Sequence, residues 1–149
     1  MFTFSVRGAR EAAVVGCIDD WIHAYLTTSP GANLPMAAGL RLQQRWWIGP
    51  VLVPTASLTR ICGPEPEMAY RTTSEAWEQR VSAIAAAAHD PEALPPLIVE
   101  WRGDELGLCD GNHRHEALRR RGEQHVWAFV WCNSEAEFLN ARDQFVATR

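Results

Sequence analysis

Apolar residues in the first part of the chain recur with helical spacing. Val14, Ile18, Trp21 and Tyr25 stand at i, i+4, i+7 and i+11 and predict an amphipathic helix over residues 9–26. Thr27-Thr28-Ser29-Pro30-Gly31 is a breaker cluster that ends it. A shorter helical stretch, 34–44, leads into Trp46-Trp47. The pattern then changes: Val51, Leu52 and Val53 form an apolar run between two prolines. Proline cannot donate to a ladder, so the strand over 48–54 belongs near a sheet edge. Residues 55–71, with Gly63-Pro64-Glu65-Pro66-Glu67, read as an ordered loop. Thr72 and Glu75 have capping-box spacing, and Trp77, Val81, Ile84, Ala85 and Ala88 share one face of the following helix, which ends near His89.

Beyond Pro95-Pro96 the period is that of strands. Leu97, Val99 and Trp101 share one face of a strand over 97–102, Gly103-Asp104 supplies a turn, and residues 106–110 return as the second arm of a hairpin. Asp110-Gly111-Asn112-His113-Arg114-His115 then opens a helix running to Arg121, with Gly122 as its C-terminal stop. His125 to Cys132 is a strongly apolar strand. Ser134 and Glu137 form another capping box before a last helix carrying Phe138, Ala141 and Phe145. The fold class is therefore mixed α/β: a small mixed sheet with helices, behind an N-terminal helical extension over residues 1–47 that packs on the core.

Composition narrows the function classes. The 149 residues suit one domain, and 47% hydrophobic with 21% charged residues is globular composition. Net charge is −4, which disfavours nucleic acid or an anionic membrane as the main partner. All 14 basic residues are Arg, which excludes a catalytic Lys amine or a P-loop Lys and fits a GC-rich genome. Cys17, Cys62, Cys109 and Cys132 show no disulfide-framework spacing. No signal-peptide pattern opens the chain, and the longest stretch without Asp, Glu or Arg, 21–40, is too rich in Thr, Ser, Pro, Gly and Asn for a membrane helix. A cytoplasmic, soluble protein is the expectation.

The strand-to-helix turn at Asp110-Gly111 carries the most chemistry. It presents free backbone N–H groups and the positive end of a helix dipole, which together favour an anion. Gly111 permits close approach, Arg114 can grip a phosphate with two donors, Asn112 and His113 can each donate one bond, and Asp110 can hold a metal ion or a ribose hydroxyl. The competing reading is a plain tight turn, with Asp110 capping the helix and Arg114 in solvent. A single glycine motif does not choose between them.

These residues also carry a family resemblance. Pro-Pro-Leu-Ile-Val-Glu-Trp, then Leu-Cys-Asp-Gly-Asn-His-Arg-His-Glu-Ala-Leu-Arg-Arg-Arg-Gly, then a strand, resembles the ParB/sulfiredoxin superfamily over residues 51–132, most sharply over 110–122. The resemblance implies a nucleotide-binding domain over residues 48–149, taking ATP or CTP with its phosphates at this helix start. It implies binding by Asp110, Gly111, Asn112, His113, Arg114 and His115, with Mg²⁺ on Asp110. Members include CTP-dependent partition proteins, ATP-using sulfiredoxins, kinases that phosphorylate free serine, and proteins described as nucleases. Asn112 stands where sulfiredoxins carry their catalytic Cys, which argues against sulfinic-acid reduction. About 27 residues follow Gly122, too few for the helix-turn-helix and dimerisation regions of partition proteins. The free-serine-kinase motif, Asp-Gly-His-His-Arg, is nearest in letters, with Asn112 replacing one His. Those kinases use a Glu after the first strand as general base, a role that the resemblance extends to Glu65, and less well to Glu67. Glu100 is an alternative carboxylate.

The resemblance thus implies a Mg²⁺-dependent phosphotransferase or NTP hydrolase acting on a small hydroxyl substrate, with Glu65 and Asp110 catalytic. The alternatives are a nucleotide-sensing or partner-binding module without turnover, and a ParB-like nuclease. Cys109, His113, His115, His125 and Cys132 are zinc-ligand types, but His113 and His115 diverge on a helix. Arg119-Arg120-Arg121 complements its helix dipole more readily than it marks a nucleic-acid patch. Adjacent Trp46 and Trp47 cannot both point inward on one element, which leaves one for a ligand or partner surface. The N-terminal helices are a further candidate for protein contact or self-association.

Overall fold

The computed structural model describes residues 1–146 of the chain. The N-terminal periodicity yields two helices rather than one, α1 (Val6–Val14) and α2 (Ile18–Leu26). Gly16 separates them at φ +76°, a left-handed conformation that glycine adopts without a steric penalty. Val14 therefore leaves the predicted core face and is exposed, while Trp21 and Tyr25 stay buried. Helix α3 (Leu34–Leu40) ends before the predicted residue 44, and Arg45 covers its last carbonyls by donating to Gly39 at 3.0 Å and Leu40 at 3.2 Å.

The strands are β1 (Trp46–Pro54), β2 (Leu58–Thr59), β3 (Cys62–Gly63), β4 (Tyr70–Arg71), β5 (Leu97–Arg102), β6 (Glu105–Asp110) and β7 (His125–Cys132). Five form a mixed sheet in the order β1-β7-β5-β6-β2, and β3 pairs with β4 in a separate ladder. Strand β1 lies at an edge, antiparallel to β7, and its register breaks between Ile48 and Val51, where Pro50 has no N–H to give. The β5–β6 hairpin is antiparallel, and β5 runs parallel to β7. With six α-helices among the described residues, the fold is mixed α/β.

Helices cover both faces of the sheet. Leu97, Val99 and Trp101 share a core with Val53, Val126 and Val130, closed by Leu118 of α5 (Asn112–Arg120) and by Phe138 and Ala141 of α6 (Glu135–Val146). Ile98, Phe129 and Trp131 point the other way and pack against Ala12, Trp21, Ile22 and Leu26 of the N-terminal helices. This double cover corrects the expectation for the tryptophan pair. Trp46 and Trp47 lie on a strand, where successive side chains alternate, so one packs into each core and neither is left as an open surface.

Helix α4 (Ser74–Ala87) lies outside α5, joined through Trp77 and Val81 to Ala117 and Cys62. Its N-cap is Thr73, which accepts from the Ala76 N–H at 3.2 Å, one residue beyond the Thr72 that the capping-box spacing favoured. The box before α6 does form: Glu137 N–H donates to Ser134 Oγ and Asn133 N–H to Glu137 Oε2, both at 3.2 Å. Among the described residues, no helix is long and apolar enough to cross a membrane.

Trp21 joins the N-terminal helices to the sheet. It is fully buried beside Phe4, Tyr25 and Phe129, and its indole N–H donates to the Thr3 carbonyl at 3.0 Å. Trp21→Ala is expected to lower the unfolding free energy by about 3–5 kcal/mol, measured by chemical denaturation.

Candidate functional site

Strand β6 ends at Asp110 and α5 begins at Asn112, so Gly111 alone makes the turn. Its φ is +101°, and a Cβ there would collide with a Leu97 methyl and lie 2.9 Å from Arg114 Nη2. Conformation and space both demand glycine. No side chain caps α5, and the His115 N–H makes the first helical bond, to the Gly111 carbonyl at 2.8 Å. The N–H groups of Asn112, His113 and Arg114 therefore precede the helical ladder, at the positive end of the dipole.

Arg114 lies neither in solvent nor across the helix mouth. Its side chain is 11% exposed and turns back toward the N-terminal helices. Nη1 donates to the Tyr25 hydroxyl at 2.7 Å, Nη2 donates to the Pro96 carbonyl at 3.1 Å, and Nη2 stands 3.5 Å from Asp110 Oδ2. Its buried Nε has no partner among the described residues. Asp110 does not cap α5; its Oδ1 accepts from Asn33 Nδ2 at 3.2 Å. Burial raises the pKa of Tyr25, and the Arg114 charge partly offsets that rise.

On the other flank, buried Asn112 accepts from the Ile61 N–H at 2.8 Å and the Cys62 N–H at 3.2 Å, fixing that segment to the first turn of α5. Arg60 just before it pairs with Glu65, donates to the Cys62 carbonyl at 3.0 Å and lies 4.7 Å over the Trp77 ring. A Cβ on Gly63 would collide with both Arg60 and Glu65. The Arg60 hydrogen bond holds the Glu65 carboxyl below its ordinary pKa, so Glu65 is ionised at neutral pH. Glu65 is thus held by Arg60, while Glu67 is exposed and Glu100 pairs with Arg102 at 2.8 Å.

The two histidines part company. His113 lies against Trp77 with ring centroids 4.5 Å apart and ring planes tilted by 39°, and burial, followed by the charges of Arg80, Arg114 and Arg60, lowers its pKa to about 4. His115 is buried on another side of the helix, with Nε2 2.9 Å from the Thr55 carbonyl. His125 and Cys132 stand at opposite ends of β7, and burial lifts the Cys109 thiol to about 11. Among the described residues, no three His, Cys, Asp or Glu side chains assemble as a metal-ligand set. Glu116 anchors the far end of α5: Arg119 and Arg120 hold its pKa at about 2, and Arg120 also pairs with Glu78 at 2.6 Å.

Three residues at this site lay beyond the motif reading. Tyr25 and Asn33 come from 89 and 77 residues before their partners. Arg80 stands one turn after Trp77 on α4; it is exposed, and among the described residues its guanidinium has no hydrogen bond or ion pair. Its i, i+3 spacing from Trp77 was the available signal. A groove of about 720 Å³, lined by residues such as Leu52, Trp101 and Phe145, includes none of the motif residues. No protein-family model and no curated protein matches the chain.

Because the folded-state pKa of His113 lies below its ordinary 6.5, the unfolded chain binds the proton more readily between about pH 6.5 and 4. The stability tied to neutral His113 is present above that window and is lost as pH falls through it. His115, also lowered by burial, acts in the same direction. His113→Asn is expected to flatten the fall in unfolding free energy over this window, measured by denaturant titration at a series of pH values. An unaltered slope would show that His113 is not the group responsible.

Proposed function

We infer that the chain binds a nucleoside triphosphate, ATP or CTP, with its phosphates against the first turn of α5, in the manner its resemblance to the ParB/sulfiredoxin superfamily implies. The observation that carries this reading is the uncapped start of α5, with the Arg114 guanidinium beside Gly111 and Arg60 on the opposite flank, on a chain of net charge −4. Helix-start N–H groups and guanidiniums are the donors that phosphate oxygens accept best.

Asp110 fits a role beside Mg²⁺. Each carboxylate oxygen meets one protein donor, leaving a lone pair on each, and Mg²⁺ commonly takes one or two carboxylates and completes its shell with phosphate and water. When bound, the ion would offset phosphate charge at the transferring group. Glu65 is the carboxylate proposed to accept the proton of a small hydroxyl substrate; Arg60 lowers its pKa and so weakens it as a base, and the reading of Mg²⁺-dependent phosphoryl transfer or NTP hydrolysis rests on the superfamily resemblance. One observation favours a second reading, nucleotide binding without turnover: Arg60 already clasps Glu65, as in a purely structural pair.

Two substitutions separate these readings. Arg114→Ala removes a charge-assisted donor, and nucleotide affinity measured by calorimetry is expected to fall roughly ten- to a hundredfold. Unchanged affinity in a folded Arg114→Ala protein would overturn the phosphate assignment. Glu65→Gln is expected to leave affinity nearly intact and abolish product formation with a panel of hydroxyl substrates. Absence of turnover in the wild-type protein, with nucleotide affinity retained, would establish the binding-only reading.

A further inference from the structure

We propose that the groove between the two edges of the curled sheet is a binding site for a small organic cation, an ammonium or guanidinium group carried on an aromatic or branched hydrocarbon. The groove is separate from the start of α5, and the proposal does not rest on the nucleotide reading.

The groove follows from the curl of the sheet. Edge strands β1 and β2 have three strands between them in the sheet order, yet the turn Thr55–Ser57 is all that joins Pro54 to Leu58. That stretch of chain reaches at most about 14 Å. The outer strands of a flat five-stranded sheet stand about 19 Å apart, so this sheet must bend until its edges approach. The groove lies at their approach, lined by Leu52 and Pro54 of β1, Thr59 of β2, Trp101 and Leu106 of the β5–β6 hairpin, and Phe145 of α6. Trp101 and Leu106 are direct cross-strand partners, and the Phe145 ring stands edge-on to Trp101 at 6.3 Å. The volume, about 720 Å³, is within the range of roughly 300–1,000 Å³ typical of small-molecule sites.

The charge of the lining selects the ligand. Asp104 and Glu105, at the turn of the hairpin, are exposed and have no hydrogen bond or ion pair among the described residues. No arginine lines the groove. Arg102, the nearest in sequence, donates to Glu100 at 2.8 Å and lies where a Cβ on Gly107 would stand, on the face of β6 opposite Leu106. Arg142 is two residues before the lining residue Gln144 on α6, about 200° round the helix, and faces away. A cleft with charge of one sign and apolar walls focuses its field on counter-ions. A cation can therefore pair with the turn carboxylates while its hydrocarbon part covers Leu106 and Phe145. An anion of the same shape meets repulsion.

NMR titration of the isotope-labelled full chain tests this with phenethylamine, phenethyl alcohol and phenylacetate, which share a ring and differ in charge, and with ethylamine, which lacks the ring. His125 also lines the groove, so the titrations are run at about pH 8 to keep imidazole charge out of the comparison. Phenethylamine is expected to bind most tightly, to shift the amides of Trp101, Asp104, Leu106 and Gln144, and to weaken as salt is added. The double variant Asp104→Asn/Glu105→Gln is expected to lose about tenfold for phenethylamine and little for the alcohol. Asp20→Asn, which removes an exposed acid on α2, should leave every affinity unchanged. Phenylacetate binding as tightly as phenethylamine, or a phenethylamine affinity that survives in the double variant, overturns the charge selection and the proposal with it. Shifts confined to other parts of the chain, or no phenethylamine binding, overturn the site. A short peptide alternating Leu and Arg that occupies the groove where phenethylamine does not would also overturn it, in favour of a peptide ligand. Every one of these results leaves the nucleotide reading at α5 where it stands.

Discussion

A guanidinium that is only 11% exposed must find compensation inside the protein, because an unpaired buried charge costs several kcal/mol. Arg114 draws that compensation from three directions: the Tyr25 hydroxyl on α2, the Pro96 carbonyl at the entry to β5, and the Asp110 carboxylate at the end of β6. The N-terminal helices, the sheet and α5 are tied at one point as a result. The same placement explains Gly111. Arg114 Nη2 lies where a Cβ on that residue would need room, so the glycine of the turn and the arginine one turn later satisfy one steric constraint between them. Asn33, which holds the other oxygen of Asp110, extends the tie to the start of α3.

The opposite flank of α5 is secured by a neutral device. Asn112 accepts two backbone N–H groups from Ile61 and Cys62, so a segment with little regular structure gains partners for its buried amides. Arg60, paired with Glu65, lies over Trp77, and Glu116 gathers Arg119 and Arg120 at the far end. Helix α4 is joined to α5 by Trp77 and Val81, by the Arg121 Nη1 donation to the Ala85 carbonyl at 3.0 Å and by the exposed Glu78–Arg120 pair. Exposed pairs contribute about 0–1 kcal/mol.

Much of this fold was legible because its cues are local. The alternation of Leu97, Val99 and Trp101, the Asp110-Gly111 turn, the length of α5 and the Ser134–Glu137 box each follow from a few neighbouring residues. The break at Gly16 was not legible, since the apolar period runs across it without a flanking breaker. The positions of Trp46 and Trp47 depend on both sheet faces being covered, which no local pattern states. In the candidate site, the motif placed six consecutive residues together, but a helix turns about 100° per residue. His115 accordingly faces Thr55 while His113 faces Trp77. Tyr25, Asn33 and Arg80 were hidden for another reason: each reaches the site from a distant segment through tertiary packing.

The engagement of Arg114 bears on how an anion could use it. An arginine carries five N–H donors, one on Nε and two on each Nη nitrogen. The bonds to Tyr25 and Pro96 occupy part of the Nη set, and Nε, although buried, has no partner among the described residues. A ligand that displaced the Tyr25 or Pro96 bond would leave a buried oxygen unsatisfied, at a cost of about 1–3 kcal/mol. A ligand that met the remaining donors would incur no such penalty and would leave the tie between α2 and α5 intact. Arg114 is thus better placed to hold its element still and lend a spare donor than to swing out toward solvent.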